Sequence, residues 1–368
     1  MSEYLVLSHT HSLLPFAHRL KKEGQKVHPV VVVRQFEAAW HGELLPSLRS
    51  TKDKGALDET FITQTFAQAK DEGWIVLTDN LNLHTRACEE FGIPDSQIFG
   101  RCIFHEGEPT SVIRVGGWFD GEVLSSHFGM VVDRGAWHGG LGPDVDGSLT
   151  LVRMDDPQTI EVMDLLVAPK VEELKSRGFQ GLVQFGLEFE TQSGGPEVKG
   201  VGAGWPFLVS HGFFSESSLT PLLDSHDKSS SYTPDPVESN PEASDPTSHF
   251  LPQKFVTVIP LSRPPWPTQK ARFRFQTELI EGLTSQQMGR IFWHDVQIDQ
   301  KAGQLRTAGL DGLVGVVRGS ANTTQLAVAR ALEVAARLQM PEKQYRTDAG
   351  SKVQMVLSML EEKYGILL

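Results

Sequence analysis

The order of segments at the start of the chain constrains its fold most. Residues 4–9, "YLVLSH", are a short apolar run; "SLLPFAHRLKKEGQ" follows with apolar residues at helical spacing and a closing glycine, and "KVHPVVVV" is a second apolar run rich in valine. Strand, amphipathic helix and strand in that order predict a βαβ unit and the start of a parallel sheet. The rhythm returns in "ETFITQTFAQAKDEG" (helix), "WIVLTD" (buried strand), "LHTRACEEFG" (helix) and "SQIFG" (short strand). Residues 1–101 therefore read as one small doubly wound, Rossmann-like domain.

From Arg101 the texture changes. "RCIFHEG", "TSVIRVGGWFDGEVL" and "SSHFGMVVD" are strands split by Gly and Asp turns, with "FDGE" at a hairpin tip, and they predict an antiparallel sheet. "DDPQTIEVMDLLVAPKVEELKSRG" opens on an aspartate cap and has helical apolar spacing, with Pro169 expected to kink or interrupt it. "FQGLVQFGLEFE" and "GPEVKGVGAGW" read as two further strands. Residues 215–249 are dominated by Ser, Pro, Asp and Glu, too poor in apolar surface to offset ordering entropy, and read as a disordered insertion. Beyond it "KFVTVIPL", "ARFRFQTEL", "GRIFWHDVQI", "QLRTAG" and "GLVGVVRG" are strands and "TTQLAVARALEVAARLQ" is a helix. The divisions are thus 1–101, 102–214, 215–249 and 250–368, in an α/β chain whose middle and C-terminal parts are α+β in texture.

Composition narrows the partners. A formal charge of -12 argues against a nucleic-acid coat, which needs lysine and arginine to neutralise phosphates, but leaves room for a small anion in a local pocket. Two cysteines, Cys88 and Cys102, are too few for a disulfide framework or a cysteine zinc site. The N-terminal apolar run is too short to span a bilayer and lacks a basic signal-peptide start. No membrane association is expected, and the location expected is cytoplasmic.

The stretch "KFVTVIPLSRPPWP", the run from "IFWHDVQI" through the long helix, and the closing "YRTDAG" resemble, in order, the C-terminal domain of the phosphoribosylamine-glycine ligase family, members of the ATP-grasp superfamily. "EGEPTSVIRVGGWFDG" resembles that family's Glu-Gly-x-Glu-x-Ser strand, and "HGGLGPDVDGSL" its Gly-Pro-Asn-Thr-Gly-Gly loop. The resemblance implies a Rossmann-like N-terminal domain, a truncated ATP-grasp core at 102–214, and a small ligase-type C-terminal domain at 250–368. It also implies ATP and magnesium as cofactors, and phosphoribosyl amine and a glycine-like carboxylate as small-molecule substrates. The implied reaction is carboxylate-amine ligation through an acyl phosphate, in purine biosynthesis.

The chain departs from that pattern in three places. "SQIFGRCIFHEGE" joins the first domain directly to the Glu-Gly strand, where the family inserts the lid subdomain over ATP. "PEVKGVGAGWPF" places Gly200 and Gly202 where the family has Glu-x-Asn for magnesium, and a glycine offers no side-chain oxygen to a hard cation. The family's Gly-x-Gly-Gly-Arg-Glu-His turn is here "SHTHSLL". Two further readings therefore stand beside a divergent ligase: a pseudoenzyme that binds a small molecule, and one subunit of a split ligase whose partner protein supplies the lid.

The substrate-binding candidates are Ser8, His9, Thr10 and His11 at the carboxyl end of the first strand, where hydroxyls can donate to an anion and imidazoles can add charge. To these the resemblance adds Arg134, Gly142, Pro143, Asp144, Arg346 and Asp348. Each has a plainer alternative: a polar βα loop for Ser8–His11, a permissive hairpin turn for Gly142–Asp144, a surface arginine for Arg134, and a structural ion pair for Arg346 with Asp348. Glu188 and Glu190 share one side of a strand and are the candidates for replacing the lost magnesium ligands; two solvated carboxylates are the alternative.

Overall fold

In the computed structural model the described residues are 3–8, 13–31, 59–78, 81–94, 97–99, 102–103, 111–189, 196–204, 207–214, 223, 253–264, 266–267, 277–299, 302–308 and 312–367. The insertion expected at 215–249 lies outside them, Leu223 apart.

The N-terminal part is a four-stranded parallel sheet: β1 (Glu3–Ser8), β2 (Lys26–Val31), β3 (Ile75–Thr78) and β4 (Ile98–Phe99), in the order β2-β1-β3-β4. Alternation along β1 explains its layers. Leu5 and Leu7 face α2 (Glu59–Asp71) and α3 (Leu81–Glu89), burying Phe66, Ala69, Leu83 and Ala87. Tyr4 and Val6 face the other way, onto Leu14, Phe16, Ala17 and Leu20 of α1 (Leu14–Lys22). A strand buried on both faces reads as the unbroken apolar run seen in the sequence.

The second sheet has nine strands in the order β12-β15-β11-β8-β7-β6-β9-β10-β5. Its members are β5 (Cys102–Ile103), β6 (Ile113–Phe119), β7 (Leu124–Trp137), β8 (Leu141–Arg153), β9 (Gly181–Phe189), β10 (Pro196–Gly204), β11 (Phe255–Ser262), β12 (Ile291–Trp293) and β15 (Leu313–Ala321). The sheet crosses position 249, because β11 pairs with β8. A separate ribbon joins β13 (Val296–Asp299) to β14 (Gln304–Thr307). One face of the large sheet packs on α1 and α5 (Phe207–Phe213) through Phe128, Met130, Leu149, Leu151, Val256 and Val258. Its other face is covered by α4 (Pro157–Ser176), α7 (Thr324–Arg337) and α8 (Val353–Tyr364), with the short α6 (Ser285–Met288) beside β12. Gly319 of β15 permits the approach of α7, since a Cβ there would overlap the Ala327 carbonyl.

Two expectations are corrected. Helix α4, capped as expected by Asp156 accepting from the Thr159 amide at 2.7 Å, runs unbroken through Pro169. The helical bond that Pro169 cannot donate belongs to the Leu165 carbonyl, and Leu165 is 71% exposed, so water can replace it. The strand expected in "ARFRFQTEL" does not appear where the chain is described: 277–280 holds one isolated bridge, Leu279 to Arg306, and 271–276 lies outside the described residues.

Candidate functional site

The glycine-rich stretch 138–149 forms the distal end of the β7–β8 hairpin. The strands pair from Phe128 opposite Arg153 to Trp137 opposite Leu141, with irregularities on both sides of Gly135. At the tip Gly139 and Gly140 have φ of 73° and 72°, in the left-handed region that L side chains avoid. Gly147 serves close approach instead, since a Cβ there would overlap the Gly135 carbonyl. Gly142, Pro143 and Asp144 stand on an exposed arm of the hairpin, paired in β8. Arg134 reaches across the strands to Asp144, with a guanidinium nitrogen 2.9 Å from the carboxylate.

The closing motif meets this hairpin from the far end of the chain. Arg346, 1% exposed, donates from Nε and Nη2 to both Asp348 oxygens at 2.7 and 2.9 Å, and from Nη1 to the Gly135 carbonyl at 2.7 Å. Asp348 accepts from the Gly139 amide at 2.9 Å, and His138 Nδ1 lies 3.0 Å from the Thr347 hydroxyl. Burial alone would raise the Asp348 carboxyl, but the hydrogen bonds from Arg346 and Gly139 outweigh it and hold it at about 2. Buried Asp133, 3.9 Å from Arg346 and 3.4 Å from Lys352, completes an alternating ion cluster. Arg346 and Asp348 thus latch the hairpin to the C-terminal part.

Beside the latch lies a cleft of about 390 Å³, lined by Trp137, His138, Trp266, Lys343, Tyr345 and Thr347 among others. Lys343 Nζ is committed to the last carbonyls of α7, bonding Ala335 and Ala336 at 2.8 and 3.0 Å. The aromatic walls suit stacking of a flat or sugar ring, and exposed His138 can meet a polar substituent.

The remaining candidates are dispersed. Ser8 is buried and its hydroxyl accepts from the Leu13 amide at 3.4 Å, at the entrance to α1; His9, Thr10 and His11 lie outside the described residues. Glu188 is exposed and sits opposite Glu197 of β10, while Glu190 lies outside the described residues. Among the described residues no group of three His, Cys, Asp or Glu could hold a metal. Gly200, at φ 83°, occupies the bulge of β10 between Val198 and Val201, and Gly202 lies opposite Gln184.

Gln184 identifies a pair that the sequence reading missed. Arg114 of β6, 1% exposed, donates from Nη1 to Gln184 Oε1 at 3.1 Å and from Nε to the Ser111 carbonyl at 3.0 Å. A lone arginine inside "SVIRVGG" was the available signal, since a charge in an apolar run is rarely buried without a specific setting. Gln184, which Arg114 bonds, stands opposite Gly202 on β10, where the family pattern asks for a magnesium ligand. Glycines offer Mg²⁺ no side-chain oxygen, and these residues do not fit the metal.

Fold and site together define a mixed α/β protein, a small parallel sheet joined to a large nine-stranded one. No family model and no curated protein sequence matches the chain, but solved structures do. The phosphoribosylamine-glycine ligase of Thermotoga maritima superposes with a TM-score of 0.56 at 13% identity, over 94% of this chain and 99% of that one. Biotin carboxylase from Campylobacter jejuni, solved as a β-γ-ATP complex, gives 0.54 at 9% identity over 99% and 97%. The Kluyveromyces lactis urea carboxylase gives 0.57 at 10% over 98% of this chain, which spans 32% of that chain. At these identities the shared property is the fold.

Proposed function

We propose that this chain is a divergent relative of phosphoribosylamine-glycine ligase that binds a small molecule in the hairpin cleft and no longer supports acyl-phosphate chemistry. The observation that carries this reading is glycine at 200 and 202 of β10, where the family pattern calls for magnesium ligands, with Gly202 opposite Gln184 of the buried Arg114–Gln184 pair. Acyl-phosphate formation needs its developing charge met by metal or dipoles in a water-excluded site. Residues 104–112 alone join β5 to β6, which leaves no room at that point for a lid subdomain. A lid donated by a partner protein would restore enclosure but not the metal ligands, so the split-ligase reading is the weaker one.

The ligand class proposed for the cleft is a phosphoribosyl compound, with its sugar stacked on the aromatic walls and a polar group near His138. Isothermal titration tests the reading. Ribose 5-phosphate should give saturable heat that weakens at least fivefold in Trp137→Ala, while Mg-ATP, with or without glycine, should give none. Saturable heat with Mg-ATP, increased by glycine, would restore the enzyme reading.

A further inference from the structure

A second cavity, sharing no lining residue with the hairpin cleft, lies where the N-terminal domain meets the edge of the large sheet. It measures about 820 Å³, within the range of small-molecule sites, and it sits between packed units, where such sites concentrate. One wall is a single stripe of α1, with Leu14 and Pro15 in the first turn and His18, Arg19 and Lys22 beyond. The facing wall is edge strand β12 with its neighbours, bringing Phe292, Trp293, Met288 and Leu305. Apolar residues and cations thus share the lining of the cavity.

The charge distribution is selective. In a chain of net charge -12, this cavity gathers Arg19, Lys22, Arg318 and His18 against one lining carboxylate, Glu281. Arg318 also lines a neighbouring pocket of about 140 Å³ with Arg290 and Arg330, so positive charge continues past one end of the cavity. Arg19 meets Glu23 through Nε at 3.1 Å, and burial still pulls its guanidinium below the ordinary arginine value. Cations gathered around an apolar cavity, one of them desolvated, have one efficient complement, an anion whose remaining surface is apolar.

We infer that the cavity between α1 and β12 is a binding site for an amphipathic organic anion, its apolar body against Met288, Phe292 and Trp293 and its acidic group toward Arg19, Lys22 and Arg318. Carboxylate, phosphate and sulfonate heads share the chemistry that these side chains recognise. The site is separate from the hairpin cleft, so it stands or falls independently of the function proposed above.

Fluorescence titration of the full chain with 8-anilinonaphthalene-1-sulfonate, and in parallel with the uncharged N-phenyl-1-naphthylamine, tests the assignment. One sulfonate probe should bind per chain, at least tenfold tighter than the neutral probe. Lys22→Glu, a surface change, should weaken the anionic probe at least fivefold and leave the neutral one within twofold. Met288→Trp, at a partly exposed wall position, should fill the cavity and weaken both, with circular dichroism and melting unchanged. Equal affinity for the two probes, or indifference of the anionic probe to Lys22→Glu, overturns the assignment. So does loss of the site on self-association in sedimentation equilibrium, which would make this face a contact between two copies.

Discussion

At the scale of single residues, the ion cluster of Asp133, Arg346, Asp348 and Lys352 fixes the geometry of the hairpin. Replacing Arg346 by methionine strands two carboxylates in a mostly buried setting, and loss of one partner from such a pair costs about 3–5 kcal/mol. Urea unfolding should show that loss in the midpoint without a change in slope. The cluster also sets an acid limit. Asp348 titrates at about 2 in the folded chain, below the ordinary value of 3.8, so its stabilising contribution is intact above pH ~4. As pH falls through that window the unfolded chain takes up the proton first, and the contribution is lost; Asp348→Asn should remove this part of the acid transition. Gly147→Ala should cost about 1–3 kcal/mol, because the new methyl meets the Gly135 carbonyl rather than a yielding side chain. The sequence shows Tyr345 to Gly350 as a motif but not what it holds. Arg346 and Gly135 are 211 positions apart, and no local pattern encodes that contact. Gly139, Gly140 and Gly147, beside Gly142 to Asp144, serve turn geometry and close approach, and such glycines look, in a sequence, like glycines that cradle a phosphate.

At the scale of elements, α1, α5 and β12 meet around two buried imidazoles. His211 stacks on Phe16 with ring centroids 5.0 Å apart, and its Nε2 lies 3.1 Å from Nε2 of His294, so one ring donates and the other accepts. Burial, with the neighbouring His294, pushes His211 well below the ordinary histidine value. An unfolded histidine gains its proton near pH ~6.5, which the folded one resists. Stability from this junction is therefore full above that pH and declines as pH falls below it; a pH series of melting temperatures should show the decline, flattened in His211→Leu. Phe16→Ala empties the junction and should cost about 3–5 kcal/mol. Pro169→Ala in α4 should stabilise, by no more than about 3 kcal/mol, since alanine restores the missing helical donor. The helices were legible because their apolar spacing and caps are local; the persistence of α4 through its proline was not, because it depends on which side of the helix faces water.

At the scale of the whole molecule, the alternation of strands and helices in residues 1–101 was readable because both faces of a short parallel sheet must be apolar. The nine-stranded sheet was not readable as one object: β11 and β15 join β8 across more than a hundred positions of intervening chain, and pairing at that distance leaves no signature in either strand. The resemblance carried the order of the pieces, and the fold is one shared with the T. maritima ligase. One of the departures from the family pattern, Gly200 and Gly202 on β10, stands next to Gln184 of β9, which Arg114 of β6 bonds. On the function proposed above, no divalent metal seats with ATP on this fold. Electron paramagnetic resonance of Mn²⁺ with ATP, titrated with the full chain, reads that directly. The free Mn-ATP signal should stay unchanged at any ratio of protein; stoichiometric disappearance of that signal, one Mn²⁺ per chain and only with ATP present, would contradict it.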